Sequence, residues 1–553
     1  MNSKNDFSVD SGKAKSRLAL LALGRALLAV IVFGIALVPG FLLARVGIHI
    51  SDEPYNILNC VDSLNTPLAP LSSWIGHLFG EAVGWEWTPF RYFAVASNAL
   101  SILIGIALLW RLSRNYTFTL LTGAACLLCG TIFNEVHNLY GWDSYSPPLL
   151  MIIIAIFISY TRDEKVWQLI LMGILSGIVV TMRLPNIAIL AGGSIILLFP
   201  TASGRISRGC RISIYLLSAI AVIWIVTSLL YGTPHAFISR LSQVSVDQHD
   251  ILYQFRGYVS PTFLLIQALL MFWASYHLIH YLESGARPWL AFAAAIILIP
   301  AIAYYEYRVF SQPFLNVLVY SCALALLGIG AVWFYSGRNL SDIRWRVALA
   351  LLIVAFIPAV GSNTGFIKFL AWPAIPLICG LLYPRFSKSM KIFSVTAFAA
   401  LMLYAYFGIG DHTFFDVGTR EADYEFKKGV LKGRLTSREY GEYIDRVISD
   451  VEKAAGDDSE IMVVRRDNNY LYEYYFGTRN QYLRDRYDFH DYLDDPDYIK
   501  YWEKEISAAK KPVTLLLFNA HNPDSALEKM LKSRLRPAAQ GDGYIIYVSP
   551  SAE

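Results

Sequence analysis

The feature that most constrains this chain is a succession of apolar runs, each long enough to cross a hydrocarbon core of ~30 Å. The first extends from Leu18 to about Val46, and others follow at short intervals almost to residue 410. No water in a bilayer satisfies exposed backbone N–H and C=O groups, so segments of this kind close their hydrogen bonds internally as helices. The expected spans are roughly 18–45, 91–110, 117–133, 147–161, 166–182, 186–200, 212–231, 261–282, 289–304, 314–335, 346–360, 369–383 and 392–409. Composition agrees: 55% of the 553 residues are hydrophobic and only 16% charged, with mean hydropathy +0.43. The chain reads as a polytopic α-helical membrane protein of about thirteen transmembrane helices, resident in an inner (plasma) membrane.

The basic residues set an orientation. Lys4, Lys13, Lys15 and Arg17 precede the first run, and Arg111/Arg114, Arg162/Lys165, Arg205/Arg208/Arg211, Arg287, Arg338/Arg344/Arg346 and Arg385/Lys388/Lys391 fall in alternate connections. The positive-inside rule assigns all of these to the cytoplasm. Residues 1–17 then form a cytoplasmic N-terminus and 18–410 the membrane domain. An odd number of crossings leaves residues 411–553 extracytoplasmic, which means periplasmic in a Gram-negative cell. The first run lacks an A-x-A site and reads as a signal anchor.

With that orientation, the unusual polar residues gather on the outer side: Asp52/Glu53, Glu135/His137/Asp143, Arg183, His235 to Arg256, Glu306/Arg308 and Asn363/Lys368. Loops are polar in any protein, yet two adjacent carboxylates at a membrane boundary are costly near lipid and mark a functional position. Cys126 and Cys129 form C-x-x-C inside an apolar run, where a structural role outweighs redox or metal chemistry. The histidines are scattered, with no H-E-x-x-H or clustered Cys/His spacing, so no metal ligands are assigned.

Past residue 410 the composition turns charged and tyrosine-rich. "SREYGEYIDRVISDVEKAAG" predicts a helix capped by Ser437, "EIMVVRR" and "VTLLLFNA" buried strands, "DPDYIKYWEKEISAAK" and "PDSALEKMLKSRL" helices, and "GYIIYVS" a closing strand. The tail is therefore expected to be a small α/β domain. It has no glycine-rich phosphate loop and no nucleophile elbow, and it is expected to shape acceptor access rather than to catalyse.

An acidic pair after the first span ("SDEPY"), "YGWDSYSPPL" entering the fourth, "TMRLPN" leaving the fifth and "GSNTGFIK" before the twelfth resemble the GT-C superfamily of membrane glycosyltransferases. In architecture the chain is similar to the aminoarabinose-lipid A transferases and protein O-mannosyltransferases. The resemblance covers the whole chain in topology and these short stretches in motif. It departs in having Ser51 before Asp52, and in lacking the W-W-D-x-x-like motif of oligosaccharyltransferases, which argues against protein N-glycosylation. It implies a polyprenyl-phosphate-linked sugar donor, a glycan, lipid or protein hydroxyl acceptor, an inverting transfer, and no nucleic-acid partner. The resemblance also implies no cofactor, although paired carboxylates have the chemistry to hold Mg²⁺ or Mn²⁺.

Such a transfer needs a base for the acceptor proton and cations for the departing phosphate. Asp52 is the expected base. Glu53, about 100° around the helix from it, is expected to orient the acceptor or a neighbouring arginine, and Asp143 is the third catalytic candidate. Trp142 and Tyr145 flank Asp143 as a sugar platform, although interfacial aromatics are also routine membrane anchors. Glu135, His137 and Asn363 are further candidates for holding acceptor or sugar. Arg183 and Lys368 are the expected phosphate ligands, with Arg256 and Arg308 as alternatives; any of these cations also has the reach to snorkel to lipid headgroups. The amphipathic stretch from Tyr231 to Ser260 is suited to close over a lipid donor or to pack on the bundle.

Two other classes remain open. An O-antigen ligase or polymerase would centre on Arg240, His249 and Arg256. A lipid-linked-sugar transporter would need ionisable groups or broken helices at the membrane midplane, and the charges here cluster at one surface instead.

Overall fold

The computed structural model describes residues 7–50, 52–61, 63, 67–133, 135–199, 206–242, 313–336, 342–360, 368–387, 391, 394, 398, 402, 418–456, 458–464, 469–477, 492–518 and 525–550. The expected spans 261–282 and 289–304, and most of 392–409, lie outside these residues.

The helices are α1 (Phe7–Leu43), α2 (Asp52–Val61), α3 (Pro70–Val83), α4 (Trp87–Ser113), α5 (Tyr116–Phe133), α6 (Glu135–Asn138), α7 (Ser146–Asp163), α8 (Val166–Met182), α9 (Ala188–Leu198), α10 (Arg208–Tyr231), α11 (Pro234–Leu241), α12 (Pro313–Tyr335), α13 (Ile343–Phe356) and α14 (Ala371–Leu382). Among the described residues, five segments are long and apolar enough to cross a membrane: Ala19–Leu43, Trp87–Ser113, Tyr116–Phe133, Trp142–Asp163 and Arg208–Tyr231. α1 and α10 leave Leu20, Leu27, Leu217, Trp224 and Leu229 exposed, a surface suited to lipid. The long first connection is itself helical, folded into α2 and α3.

Small residues set the helix spacing. Gly173 and Gly177 of α8 face the backbone of α10 at Tyr215 and Ala219, and Gly105 of α4 faces the carbonyl of Pro373 in α14. Contacts without intervening side chains let dispersion do what the hydrophobic effect cannot do in lipid. A methyl at Gly105 would collide with backbone rather than with a mobile side-chain tip. Gly105→Ala is expected to cost roughly 1–3 kcal/mol as overpacking, measured as a lower Tm of the purified protein; an unchanged Tm would show that the two helices separate freely.

Beyond residue 418 the chain forms a two-stranded ribbon, β1 (Tyr424–Glu425) with β2 (Leu435–Thr436), and a four-stranded sheet in the order β3-β4-β6-β5. These are β3 (Glu460–Val464), β4 (Val513–Phe518), β5 (Arg536–Gly541) and β6 (Tyr544–Val548); β3 and β4 run parallel, the other pairs antiparallel. Helices α15 (Arg438–Ala455), α16 (Leu471–Phe476), α17 (Pro496–Ala508) and α18 (Ala526–Arg534) cover it. Alternation along β4 explains the layers: Leu516 packs with Ile444, Val447 and Val451 of α15, whereas Leu515 and Leu517 pack with Trp502 of α17 and Leu531 of α18. Ser437 and Asp495 cap α15 and α17 with their side chains.

The α15 face of the sheet is continuous with Ile48, Ile57, Trp87, Phe90 and Tyr140 at the end of the bundle. Residues 44–50, between α1 and α2, are held from both sides. Leu435 N–H donates to the Arg45 carbonyl and Gly47 N–H to the Leu435 carbonyl, both at 2.8 Å. Arg45 reaches the Gly433 carbonyl and the Glu425 carboxylate, each at 3.0 Å. Carbonyls at the end of α1 have no intrahelical partner, and the fully buried Arg434 donates to those of Ala44, Val46 and Gly47.

Candidate active site

Trp142–Tyr145 is a turn of 3-10 helix that leads into α7, whose first turn carries Pro147 and Pro148. Proline is tolerated there because the first N–H groups of a helix are unpaired anyway. Gly141 N–H donates to the Ser144 hydroxyl at 3.0 Å, closing the turn. This geometry fixes Asp143 at the mouth of α7, only 8% exposed.

Two cations from distant parts of the chain meet that carboxylate. Arg183, in extended backbone after α8, places its guanidinium 3.3 Å from one Asp143 oxygen and donates to the Pro358 carbonyl at 3.0 Å. Lys368 reaches the other oxygen at 2.7 Å. Arg183 is nearly buried, while the Lys368 side chain stays 22% exposed. The Arg183 position follows from Pro185, which forces the chain into a short 3-10 turn, Leu184–Ile187, and from Asn186, which donates to the Ser146 hydroxyl at 3.2 Å and the Val179 carbonyl at 3.1 Å.

His137 sits behind the pair, its Nε2 3.2 Å from the Lys368 carbonyl oxygen. Burial lowers its pKa to about 4, against the raising pull of Asp143, so the ring is neutral at physiological pH. Two cations against one carboxylate leave this group one positive charge in excess among the described residues.

The acidic pair after the first span divides into two environments. Asp52 is exposed at the first turn of α2. Its helix lies beside the Asp143 turn: the Tyr55 ring is 6.0 Å from that of Trp142, and Asn56, which donates to the Asp52 carbonyl at 2.7 Å, adjoins Gly141. Glu53 is completely buried. Arg91 of α4 binds it with two guanidinium nitrogens, one at 3.0 Å, and Tyr140 N–H donates to it at 3.2 Å. The third nitrogen of Arg91 donates to the carbonyls of Val46 at 2.7 Å and Gly47 at 3.2 Å. Burial raises the pKa of Glu53, and the charge and hydrogen bonds of Arg91, joined by Arg434 and His49, bring the net value below the ordinary 4.5. Burial likewise lowers His49, opposed by the nearby Asp52 and Glu53 carboxylates. The neighbouring arginine expected beside Glu53 is thus Arg91, and its fork is spent on the chain that leads to Asp52.

The remaining candidates are spread around this core. The Trp142 ring packs on Tyr55, which in turn lies 4.9 Å from the Tyr470 ring of the tail. Tyr145 turns inward, its hydroxyl 2.8 Å from that of Tyr140 and its ring 4.8 Å from Phe93. Glu135 begins α6, and its side chain lies outside the described residues. Asn363, Arg256, Arg308 and His249 also lie outside them. Arg240, on α11, stacks 5.6 Å from the ring centroid of Tyr231 at the end of α10. No group of three or more His, Cys, Asp or Glu side chains is placed to hold a metal ion among the described residues.

Sequence reading did not single out Arg91 or Arg434. A signal existed for Arg91, a charge at the start of an apolar span, where ionisable residues need a partner. Arg434 lies in a polar loop that gives no such signal; both arginines stack on the buried Trp87 ring, at 6.0 and 5.3 Å.

No protein-family model matches the chain, and no curated protein does. Among solved structures it is similar to ArnT from Cupriavidus metallidurans, an aminoarabinose transferase, in the apo state, at 13% identity over 96% of this chain and 99% of that one, TM-score 0.45. It is also similar to the Archaeoglobus fulgidus oligosaccharyltransferase, in complex with Zn and sulfate at 12% identity over 88% and 67% (TM-score 0.47), and in the apo form at 11% identity over 88% and 69% (TM-score 0.42). Both proteins have the GT-C fold. At these scores the likenesses carry no functional argument, which rests on the site.

Proposed function

We propose that the chain is a membrane glycosyltransferase that moves a sugar from a polyprenyl-phosphate donor to a hydroxyl of a glycan, lipid or protein acceptor. The observation that carries this reading is Asp143 held between Arg183 and Lys368 beside the helix that bears Asp52. A sugar phosphodiester has one negative charge, which matches the excess positive charge of the group. Its phosphate takes the place of the Asp143 carboxylate on one or both cations, and Asp143 keeps them poised until it does.

Asp52 then accepts the proton of the acceptor hydroxyl while the acceptor oxygen bonds to the anomeric carbon. The bond from that carbon to the phosphate oxygen breaks, and its electron pair leaves with the polyprenyl phosphate. Attack opposite the leaving phosphate inverts the anomeric centre. The negative charge that develops on the leaving oxygen falls on Arg183 and Lys368, donors already placed where that charge appears. The reading gives this work to side-chain cations and does not require a divalent ion. Glu53, Arg91 and Arg434 are positioning residues, since they hold residues 44–47 and touch no reacting atom.

Lys368→Met removes one charge-assisted contact while keeping length and apolar bulk. The donor KM is expected to rise about tenfold to a hundredfold, since a hydrogen bond to a charged group contributes roughly 1.5–3 kcal/mol. Steady-state kinetics with a polyprenyl-phosphate sugar checks this. An unchanged donor KM and kcat in a folded variant would remove Lys368 from the donor site.

A further inference from the structure

Behind the Asp143 group lies a buried polar layer that the transfer step itself does not use. α6 carries His137, and the corner between α5 and α6 is held by paired amides. Asn98 of α4 donates to the Gly130 carbonyl at 3.0 Å and to the Asn138 side-chain oxygen at 2.9 Å, while Asn138 donates to the Thr131 carbonyl at 2.8 Å. The last carbonyls of a helix have no intrahelical partner, and here two buried asparagines supply one. The backbone beside His137 is thereby fixed.

His137 in turn holds Lys368. A carbonyl oxygen only accepts, so the Nε2 that lies 3.2 Å from the Lys368 carbonyl carries the proton and donates it. The neutral ring then has a bare Nδ1, which is buried and has no hydrogen-bond partner among the described residues. His137 is only 2% exposed, and it meets Lys368 at the main chain rather than at the ammonium.

That distinction matters when a phosphate arrives. Asp143 holds the Lys368 ammonium by its tip, at 2.7 Å. A phosphate that displaces Asp143 removes this tether, and the ammonium sits on a flexible four-carbon stem. The restraints that remain are on the backbone: the His137 contact, and the Leu370 N–H, which donates to the Ala355 carbonyl at 3.0 Å.

We propose that His137 is a positioning residue for the donor phosphate: its Nε2–H holds the Lys368 main chain so that the ammonium meets the phosphate once Asp143 has let go. On the transferase reading of the Asp143 group, on which this rests, His137 serves the lysine rather than the sugar or the acceptor.

The test is a double-mutant cycle on the full-length protein in nanodiscs, read as the KM for a polyprenyl-phosphate sugar and, separately, as the acceptor KM. His137→Phe keeps a ring and loses the donor. It is expected to raise the donor KM about threefold to tenfold, the range of one neutral hydrogen bond, and to leave the acceptor KM within about twofold. In the Lys368→Met background the same change is expected to alter the donor KM by less than about twofold, because the group through which His137 acts has gone. His137→Gln, whose amide N–H reaches as far as Nε2, should stay within about twofold of the wild type, whereas His137→Asn, whose amide falls near Nδ1, should behave like Phe. If the Phe variant melts early, Asn takes its place in the cycle. Equal effects of the His137 change with and without the Lys368 ammonium would mark an ordinary packing loss and overturn the proposal. So would rescue by Asn instead of Gln, or a rise confined to the acceptor KM. A raised donor KM in Lys368→Met beside wild-type behaviour of His137→Phe overturns the role of His137 alone. An unchanged donor KM in Lys368→Met removes that cation from the donor site, and the role of His137 with it.

Discussion

Asp52→Asn is expected to lower sugar transfer by at least ~10²-fold, the low end of what a positioned general base contributes. Asp52 is exposed at the first turn of α2, whereas the adjacent Glu53 is buried against Arg91. Asn keeps the shape and the ability to sit at a helix start, so the loss should appear in kcat with donor binding and Tm nearly unchanged. Single-turnover kinetics with saturating donor and acceptor measures it. A variant that turns over at a near-normal rate would show that the acceptor proton goes elsewhere.

The second large effect is on stability. Arg91→Ala is expected to cost about 3–5 kcal/mol, the usual penalty for stranding one partner of a fully buried ion pair. Both side chains are at 0% exposure, so solvent does not screen the loss. Replacing the pair together, Glu53→Leu with Arg91→Met, should recover part of this, since no charge is then left alone. It should not recover all, because the carbonyls of Val46 and Gly47 also lose a donor. The same pair gives a pH dependence. The pKa of Glu53 is lower in the folded chain than the ordinary 4.5, so its contribution is fully present above that value and fades as pH falls below it. Thermal melts of the wild type and Glu53→Gln between neutral and acid pH measure this. A wild-type acid limb no steeper than that of the variant, or an Arg91→Ala protein that melts like wild type, would contradict the assignment.

These two expectations differ in how far the sequence foretold them. Asp52, Asp143, Arg183 and Lys368 stood out because ionisable residues beside apolar spans need a reason, and Pro185 announced the break that aims Arg183. The Ser437 cap and the short apolar runs that became β3, β4 and β6 were legible for the same local reasons. β5 was not: Arg536–Gly541 has mostly exposed residues and no apolar alternation, as an edge strand with Pro537 allows. Nor were α2 and α3, whose short patterns lie inside what reads as one outer loop. The pairing of Glu53 with Arg91, and of Arg434 with the end of α1, joins residues up to 390 positions apart, and no local signal in one sequence encodes such a partner. Glu53 shows the limit well. Its neighbour in sequence faces solvent, and only packing reveals that Glu53 serves the scaffold.

Arg183 and Lys368 are proposed to receive the donor phosphate beside Asp52. The most direct measurement is a structure of the protein with a non-hydrolysable polyprenyl-phosphate sugar analogue. Phosphate oxygens are expected within hydrogen-bond distance of the Arg183 guanidinium or the Lys368 ammonium, with the Asp143 carboxylate withdrawn from that cation. A phosphate lying more than a layer of solvent from both cations, with the Asp143 pairs intact, would contradict it.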